Sequence, residues 1–336
     1  MSLPALVAHA DWSASPQKRW MAQALRQPDG RFHALPPAPV GALEGFWARL
    51  EAAAPAGAIL IGFDFPIGLP AAYAARAAIT DFRAALEEFD GAFYEVARTP
   101  DEISLGRPFY PDRAGGRFRR HLLEALGLDG WERLRRRCER ATGDRPAPCP
   151  LFWTLGGNQV GKAAISGWRD LLAPARRAGL GLAIWPFDGA LPELLRSHRF
   201  VVAETYPGEI YHHLDVRAAL RRHGGKRRQG ARAACAPSLL AWAARSDLAL
   251  APALVREIAD GFGPRAAGED RFDAVIGLFG MLNVVRGARP SGEPDDPAVR
   301  RIEGWILGQA APPGEVGRRA SDNAGGHSPP ACVVSA

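Results

Sequence analysis

The sequence predicts an α/β fold, a mixed five-stranded sheet flanked by helices and carrying a large, mostly helical insertion. Three observations lead there. The short apolar runs LPALVAHA, AILIGFD and RFVVAE have the length and aliphatic content of buried strands. Segments of helical period stand between and after them. Finally, these three runs end on or are followed by an acid (Asp11, Asp64 and Glu204), and a fourth acid, Asp273, interrupts the apolar helix DRFDAVIGLFGML.

Residues 3–10 read as the first strand, followed by a turn at Ser13 to Pro16. KRWMAQALR and GRFHALP, split by the turn PDG, continue it into a three-strand meander. Leu43, Phe46, Trp47 and Leu50 recur at helical spacing and predict a helix over 40–54, after which AILIGFD follows Pro55 and Gly57. A strand, helix, strand order implies parallel pairing through a right-handed crossover. The ends of neighbouring strands would then lie about 4.8 Å apart.

From Ala71 to Arg199 the chain is far longer than a crossover needs, so 71–199 reads as an inserted subdomain. Within it, helices are expected over 71–89, 117–141 and 162–178, with a Pro-rich join at Arg145 to Pro150 and a strand candidate in GLAIWPF. Beyond the strand FVVAE come a basic helical stretch to about Arg245, a short helix over 251–260, the apolar helix over 270–286 and the segment EGWILG. The core is thus assigned to 1–70 and 200–308. From Gln309 the chain is rich in Pro, Gly, Ser and Ala, and a disordered tail is expected over 309–336.

An apolar fraction of 47% with 23% charged residues is that of an ordinary globular protein with a sizeable core. Of 42 basic residues only Lys18, Lys162 and Lys226 are lysine, so the net charge of +6 reflects an Arg-rich composition more than a dedicated nucleic-acid surface. Its distribution says more. Val216 to Ser246 carries eight basic residues and no acid, which would attract a phosphate-bearing partner, a nucleic acid or nucleotide; a solvated Arg-rich helix and loop is the other reading. Cysteines 138, 149, 235 and 332 are scattered without zinc spacing and read as reduced. No basic start precedes a long apolar stretch, and nowhere do about 18 apolar residues run uninterrupted. A cytoplasmic protein without a membrane partner is expected.

Carboxylates gathered at neighbouring strand ends raise one another's pKa unless a cation sits among them, and a divalent metal with oxygen ligands, Mg²⁺ or Mn²⁺, is the simplest remedy. Each acid also has a local reading. Asp11 could start a turn with Ser13, and Asp64 before Phe65 and Pro66 is a plausible turn residue. Asp270 and Asp273, at i and i+3, could be the cap and first-turn acid of one helix, although that spacing also places both on one face.

GGNQVGKA contains Gly156-x4-Gly161-Lys162, a phosphate-loop pattern in which Ala163 stands where Ser or Thr would hold magnesium. Asn158, Gln159 and Lys162 could instead direct polar groups toward a substrate, or the segment could be a packed turn before a helix. No Gly-x-Ser-x-Gly elbow is present and the histidines show no triad or metal spacing, so a side-chain nucleophile is unsupported.

The order strand, strand, strand, helix, strand, helix, strand, with acids on the first strand, the fourth strand and a late helix, is the layout of the ribonuclease H-like fold. The phrases FDFPIGLP, GGNQVGKAAISGW, VVAETYPGEIY and EDRFDAVIGLFG resemble the domain of unknown function 429 family, described as predicted nucleases of that fold; the likeness runs from about Leu3 to Gly308. The resemblance implies that Asp11 takes the place of the first-strand aspartate, Asp64 that of the fourth-strand acid, and Asp273 with Asp270 that of the last-helix acid. Glu204 belongs to the family's Glu-x-x-Pro phrase. The function implied is a divalent-metal-dependent nuclease or phosphodiesterase, with Asp11, Asp64, Glu204, Asp270 and Asp273 as metal ligands and Lys162 and Lys226 at the phosphate. The alternatives are a non-catalytic nucleic-acid or nucleotide-binding protein of the same fold and, more distantly, an ATP-dependent phosphotransferase.

Overall fold

In the computed structural model, which describes residues 3–143, 145–155, 160–264 and 267–311, the meander forms as the sequence predicts. It comprises β1 (Leu6–Asp11), β2 (Trp20–Arg26) and β3 (Phe32–Ala34), with the two-residue β4 (Ala38–Pro39) also paired to β2. β5 (Ile59–Phe63) lies parallel to β1, from Leu6 opposite Ile59 to Ala10 opposite Phe63. Two further strands extend that side, β6 (Leu182–Ile184) and β7 (Phe200–Glu204), while β8 (Leu248–Leu250) pairs with β3. The order is β6-β7-β5-β1-β2-β3-β8, and β2 alone runs against its neighbours along that path.

The sheet therefore has eight strands rather than the five expected. β4 and β8 are too short to carry a period-2 signal. β6 comes from GLAIWPF, inside the segment read as an insertion, yet it pairs with β7 from Leu182 opposite Phe200 to Ile184 opposite Val202, so this stretch belongs to the core sheet.

The helices differ from expectation where local backbone chemistry intervenes. Gly45, in the left-handed region at φ 67°, delays the first helix to Phe46–Ala53. The helix expected over 71–89 is two, Ala71–Arg76 and Phe82–Glu88. Asp81 caps the second by accepting the amide hydrogens of Arg83 and Ala84. That expected over 117–141 stops after Arg119–Leu126, where Gly127 forms a left-handed C-cap, and continues as short 3₁₀ turns. The one expected over 162–178 is present: Val160–Gly167 runs through a π-turn at Trp168–Leu172 into Ala173–Arg177.

Apolar side chains cover both faces of the sheet. Phe46, Leu50, Phe63, Phe65 and Trp168 pack on one, with much of segment 71–177. The helix Ala267–Val285 lies on the other, packed against β1 and β2 with Trp242, Ile210 and Leu254 outside it. Because it is covered from both sides, 15 of its 19 residues are buried and it has no polar face to offer water. Gln309, where a tail is expected to begin, is also buried, accepting from Arg145 Nη2 at 2.9 Å and donating to the Cys138 carbonyl at 3.0 Å. Residues 312–336 lie outside the described residues. Cys138, Cys149 and Cys235 are free thiols, and among the described residues no helix is long and apolar enough to cross a membrane.

Candidate carboxylate site

Asp11 is the last residue of β1 and Asp64 the first after β5, so parallel pairing brings the two strand ends together. Asp64 is drawn across the gap because its Oδ1 accepts the backbone N–H of Trp12 at 2.6 Å. Burial, then the charges of Asp64, Asp273 and Asp270, push the Asp11 carboxyl well above the ordinary range. Burial likewise pushes Asp64 up to about 7, opposed by the Trp12 amide and a hydrogen bond with Asp11. Burial and mutual proximity thus hold both carboxyls above the ordinary range, so the pair favours its protonated form more than two exposed aspartates would.

The two helix acids meet this pair from Ala267–Val285. Their reading as a cap and first-turn pair does not fit, since the helix already starts by Ala267, and the backbone N–H groups that a capping side chain would accept lie before Asp273. Instead the buried Asp273 is held at both oxygens by side chains, accepting from the Tyr211 hydroxyl at Oδ1 and from the Lys226 ammonium at Oδ2. Lys226 Nζ also lies 3.2 Å from Glu269 Oε1. Asp270 is pushed up to about 6, chiefly by burial and then by Glu269 and Asp273.

His9, two residues before Asp11 and on the same side of β1, ties strand to helix. Fully buried, it is neutral, its pKa lowered to about 3 by desolvation. Its Nδ1 lies 3.1 Å from the Ala274 carbonyl, which can only accept, so Nδ1 carries the hydrogen and Nε2 accepts from the Thr205 hydroxyl at 2.8 Å. The helix comes this close because residue 277 is glycine: a Cβ there would sit 2.1 Å from the His9 ring.

Glu204 is turned away from the cluster. It lies opposite Phe63 in the β5–β7 register, and Thr205, one residue on, already faces His9, so Glu204 projects to the other side of the sheet. There its carboxylate takes two bonds from Arg136, Oε1 to Nη2 at 2.6 Å and Oε2 to Nη1 at 2.7 Å, and one from the Ile67 amide at 2.7 Å. Arg136 is fully buried and also reaches Glu139 at 3.0 Å and the Glu303 carbonyl at 3.0 Å. An acid ending a strand thus serves as anchor for a buried guanidinium that joins segment 136–139 to β7 and the C-terminal turn.

Lys162 also points elsewhere, donating to the Asp112 carbonyl at 3.2 Å. Gly161 is explained by packing, since a Cβ would lie 2.3 Å from the Leu151 carbonyl oxygen. Asn158 and Gln159 lie outside the described residues. Of the basic run, Lys226 reaches the acids. Arg232 is buried within the fold, donating to the carbonyls of Lys226 at 2.5 Å, Gly261 at 2.8 Å and Gly263 at 2.6 Å.

Asp64 and Asp273 open on a cavity of about 360 Å³, lined also by Lys226, Trp12, Tyr206 and Tyr211. Trp12 is fixed by its indole N–H, which donates to Ser166 Oγ at 3.0 Å, so the helix Val160–Gly167 supplies one wall. Sequence reasoning passes over Trp12, Tyr206 and Tyr211; the available signal is their adjacency to Asp11 and their place in the phrase ETYPGEIY.

Among the described residues no group of three or more His, Cys, Asp or Glu side chains is arranged to hold a metal ion. With Glu204 on Arg136 and Asp273 on Lys226, the carboxyls of these five acids not bonded to a side-chain cation are those of Asp11, Asp64 and Asp270. Comparison of the chain with protein-family models, with curated proteins and with solved structures yields no match.

Proposed function

We propose that the chain is a divalent-metal-dependent phosphodiester hydrolase of ribonuclease H-like fold whose metal-holding residues are Asp11 and Asp64. The observation that carries this reading is the meeting of two carboxylates at adjacent parallel strand ends, Asp64 bonded to the Trp12 amide beside Asp11, next to a cavity with a lysine in its wall. The strand order β3-β2-β1-β5-β7, with only β2 reversed, supports the fold assignment.

The donor set suits the ion. All the groups are hard oxygens, the type that Mg²⁺ and Mn²⁺ select over softer metals. Both carboxyls are raised chiefly by burial, which marks a pair whose negative charge an ion would compensate. Such an ion supplies charge neutralisation at the phosphate and an activated water. The protein does the rest. Trp12 holds Asp64 beside Asp11 through its backbone, Lys226 offers an ammonium to a phosphate oxygen in the cavity, and Trp12, Tyr206 and Tyr211 present aromatic rings against which a base or sugar can rest. The cavity volume is at the small end for ligand sites, suited to one nucleotide unit rather than a duplex.

The test is hydrolysis of single-stranded DNA, single-stranded RNA and an activated phosphodiester with and without Mn²⁺. Metal-dependent cleavage that Asp11→Asn and Asp64→Asn each reduce at least about 100-fold is expected, in line with the loss of a charge-stabilising group. Cleavage that persists in both variants would rule the reading out. One observation favours a second reading, a non-catalytic nucleotide-binding protein: among the described residues no three acids or other metal-binding side chains are grouped to hold an ion. In that case nucleotide binds without Mn²⁺ and no cleavage follows.

A further inference from the structure

We propose that Lys226 is a built-in second cation, so that this carboxylate site takes one divalent ion rather than two. The inference rests on the metal-dependent reading above and deepens it. A two-ion site places its metals about 4 Å apart and shares carboxylates between them. Here the helix acid that would complete such a site is already engaged at both oxygens and paired with a cation: Asp273 accepts from Lys226 at one oxygen and from Tyr211 at the other.

Lys226 is built into the fold. Its backbone carbonyl accepts from the buried Arg232 at 2.5 Å, and the same guanidinium grips Gly261 and Gly263 just before the helix that carries Asp273. Nζ is further balanced by Glu269 at 3.2 Å, and the side chain keeps 36% of its exposure, on the cavity side. An ammonium held by two acids at the mouth of a cavity can meet a phosphate oxygen where a second metal otherwise would, without the cost of dehydrating another divalent ion.

Calorimetric titration of the full chain with Mn²⁺ alone, alongside the electron paramagnetic resonance spectrum of the bound ion, decides the matter. The wild-type chain is expected to bind one Mn²⁺ per chain and give the six-line spectrum of an isolated ion. Lys226→Met is expected to admit a second, giving a stoichiometry near two and a spin-coupled spectrum, while Lys226→Arg stays at one. Two ions in the wild type, or one in Lys226→Met, would overturn the inference while leaving the metal-dependent reading intact. No binding in the wild type would remove both. The wild-type and Lys226→Arg measurements decide the point even where Lys226→Met fails to fold.

Discussion

Asp64 accepts the backbone N–H of Trp12 at 2.6 Å, and that single bond across two strand ends holds its carboxylate against Asp11. It converts what could be two separate turn aspartates into a coupled pair. A side-chain change at Trp12 leaves the bond in place because the donor is main chain. Removing Asp64 leaves the amide unsatisfied, but at a partly exposed loop the loss is modest, about 1 kcal/mol.

Stability without metal should depend on this pair. Asp64 sits near 7 in the folded chain against an ordinary 3.8, so between those values the folded state keeps a proton the unfolded state has lost. Stability then falls as pH rises from 3.8 to about 7 and levels off above, by an amount on the order of 2 kcal/mol after discounting for partial exposure. Chemical denaturation of wild type and Asp64→Asn across this range, in chelator, should show the variant with the flatter profile.

Metal affinity should have the opposite trend. An ion entering between Asp11 and Asp64 displaces protons from both raised carboxyls, so apparent Mn²⁺ affinity should rise with pH through the range around 7. Calorimetry in buffers of different ionisation enthalpy should count at least one proton released per ion near pH 6.

His9 acts in the opposite sense to Asp64. Its folded pKa near 3 lies below its ordinary 6.5, so as pH drops from 6.5 the unfolded chain gains a proton the folded chain refuses, and stability is lost. His9→Leu should remove this acid sensitivity while costing about 2–4 kcal/mol at neutral pH through the stranded Thr205 hydroxyl and Ala274 carbonyl. Gly277→Ala, whose Cβ would enter the ring, should cost at least as much, and both are read from denaturation midpoints.

Glu204 separates structural from metal-holding acids. Arg136→Met should destabilise by about 3–5 kcal/mol because it leaves Glu204 and Glu139 buried without their cation. Glu204→Gln should lower the melting temperature yet leave Mn²⁺ affinity within about threefold of wild type. A loss as large as that in Asp64→Asn would restore Glu204 to the ligand set.

Much of this was legible in the chain. The meander, the strand AILIGFD and the apolar late helix announce themselves by periodicity, and Asp11 and Asp64 by closing apolar runs that parallel pairing must bring together. Glu204 shows where that logic ends, since whether a strand-terminal acid faces one side of the sheet or the other depends on a one-residue register that the local pattern FVVAE, apolar on both faces, does not encode. The partners of Asp273 were hidden for a different reason: Tyr211 and Lys226 lie 62 and 47 residues away and meet it only through tertiary packing. β6 escaped the core assignment because three residues leave too little pattern to distinguish an edge strand of the sheet from a loop.

The central claim is that Asp11 and Asp64 together hold a divalent cation. Calorimetric titration of Mn²⁺ into the wild-type chain and into the Asp11→Asn, Asp64→Asn double variant at pH 7.5 tests it directly. The account predicts saturable binding in the wild type that is lost from the double variant while its melting temperature in chelator is unchanged or higher. Equal Mn²⁺ binding by the two proteins would contradict it.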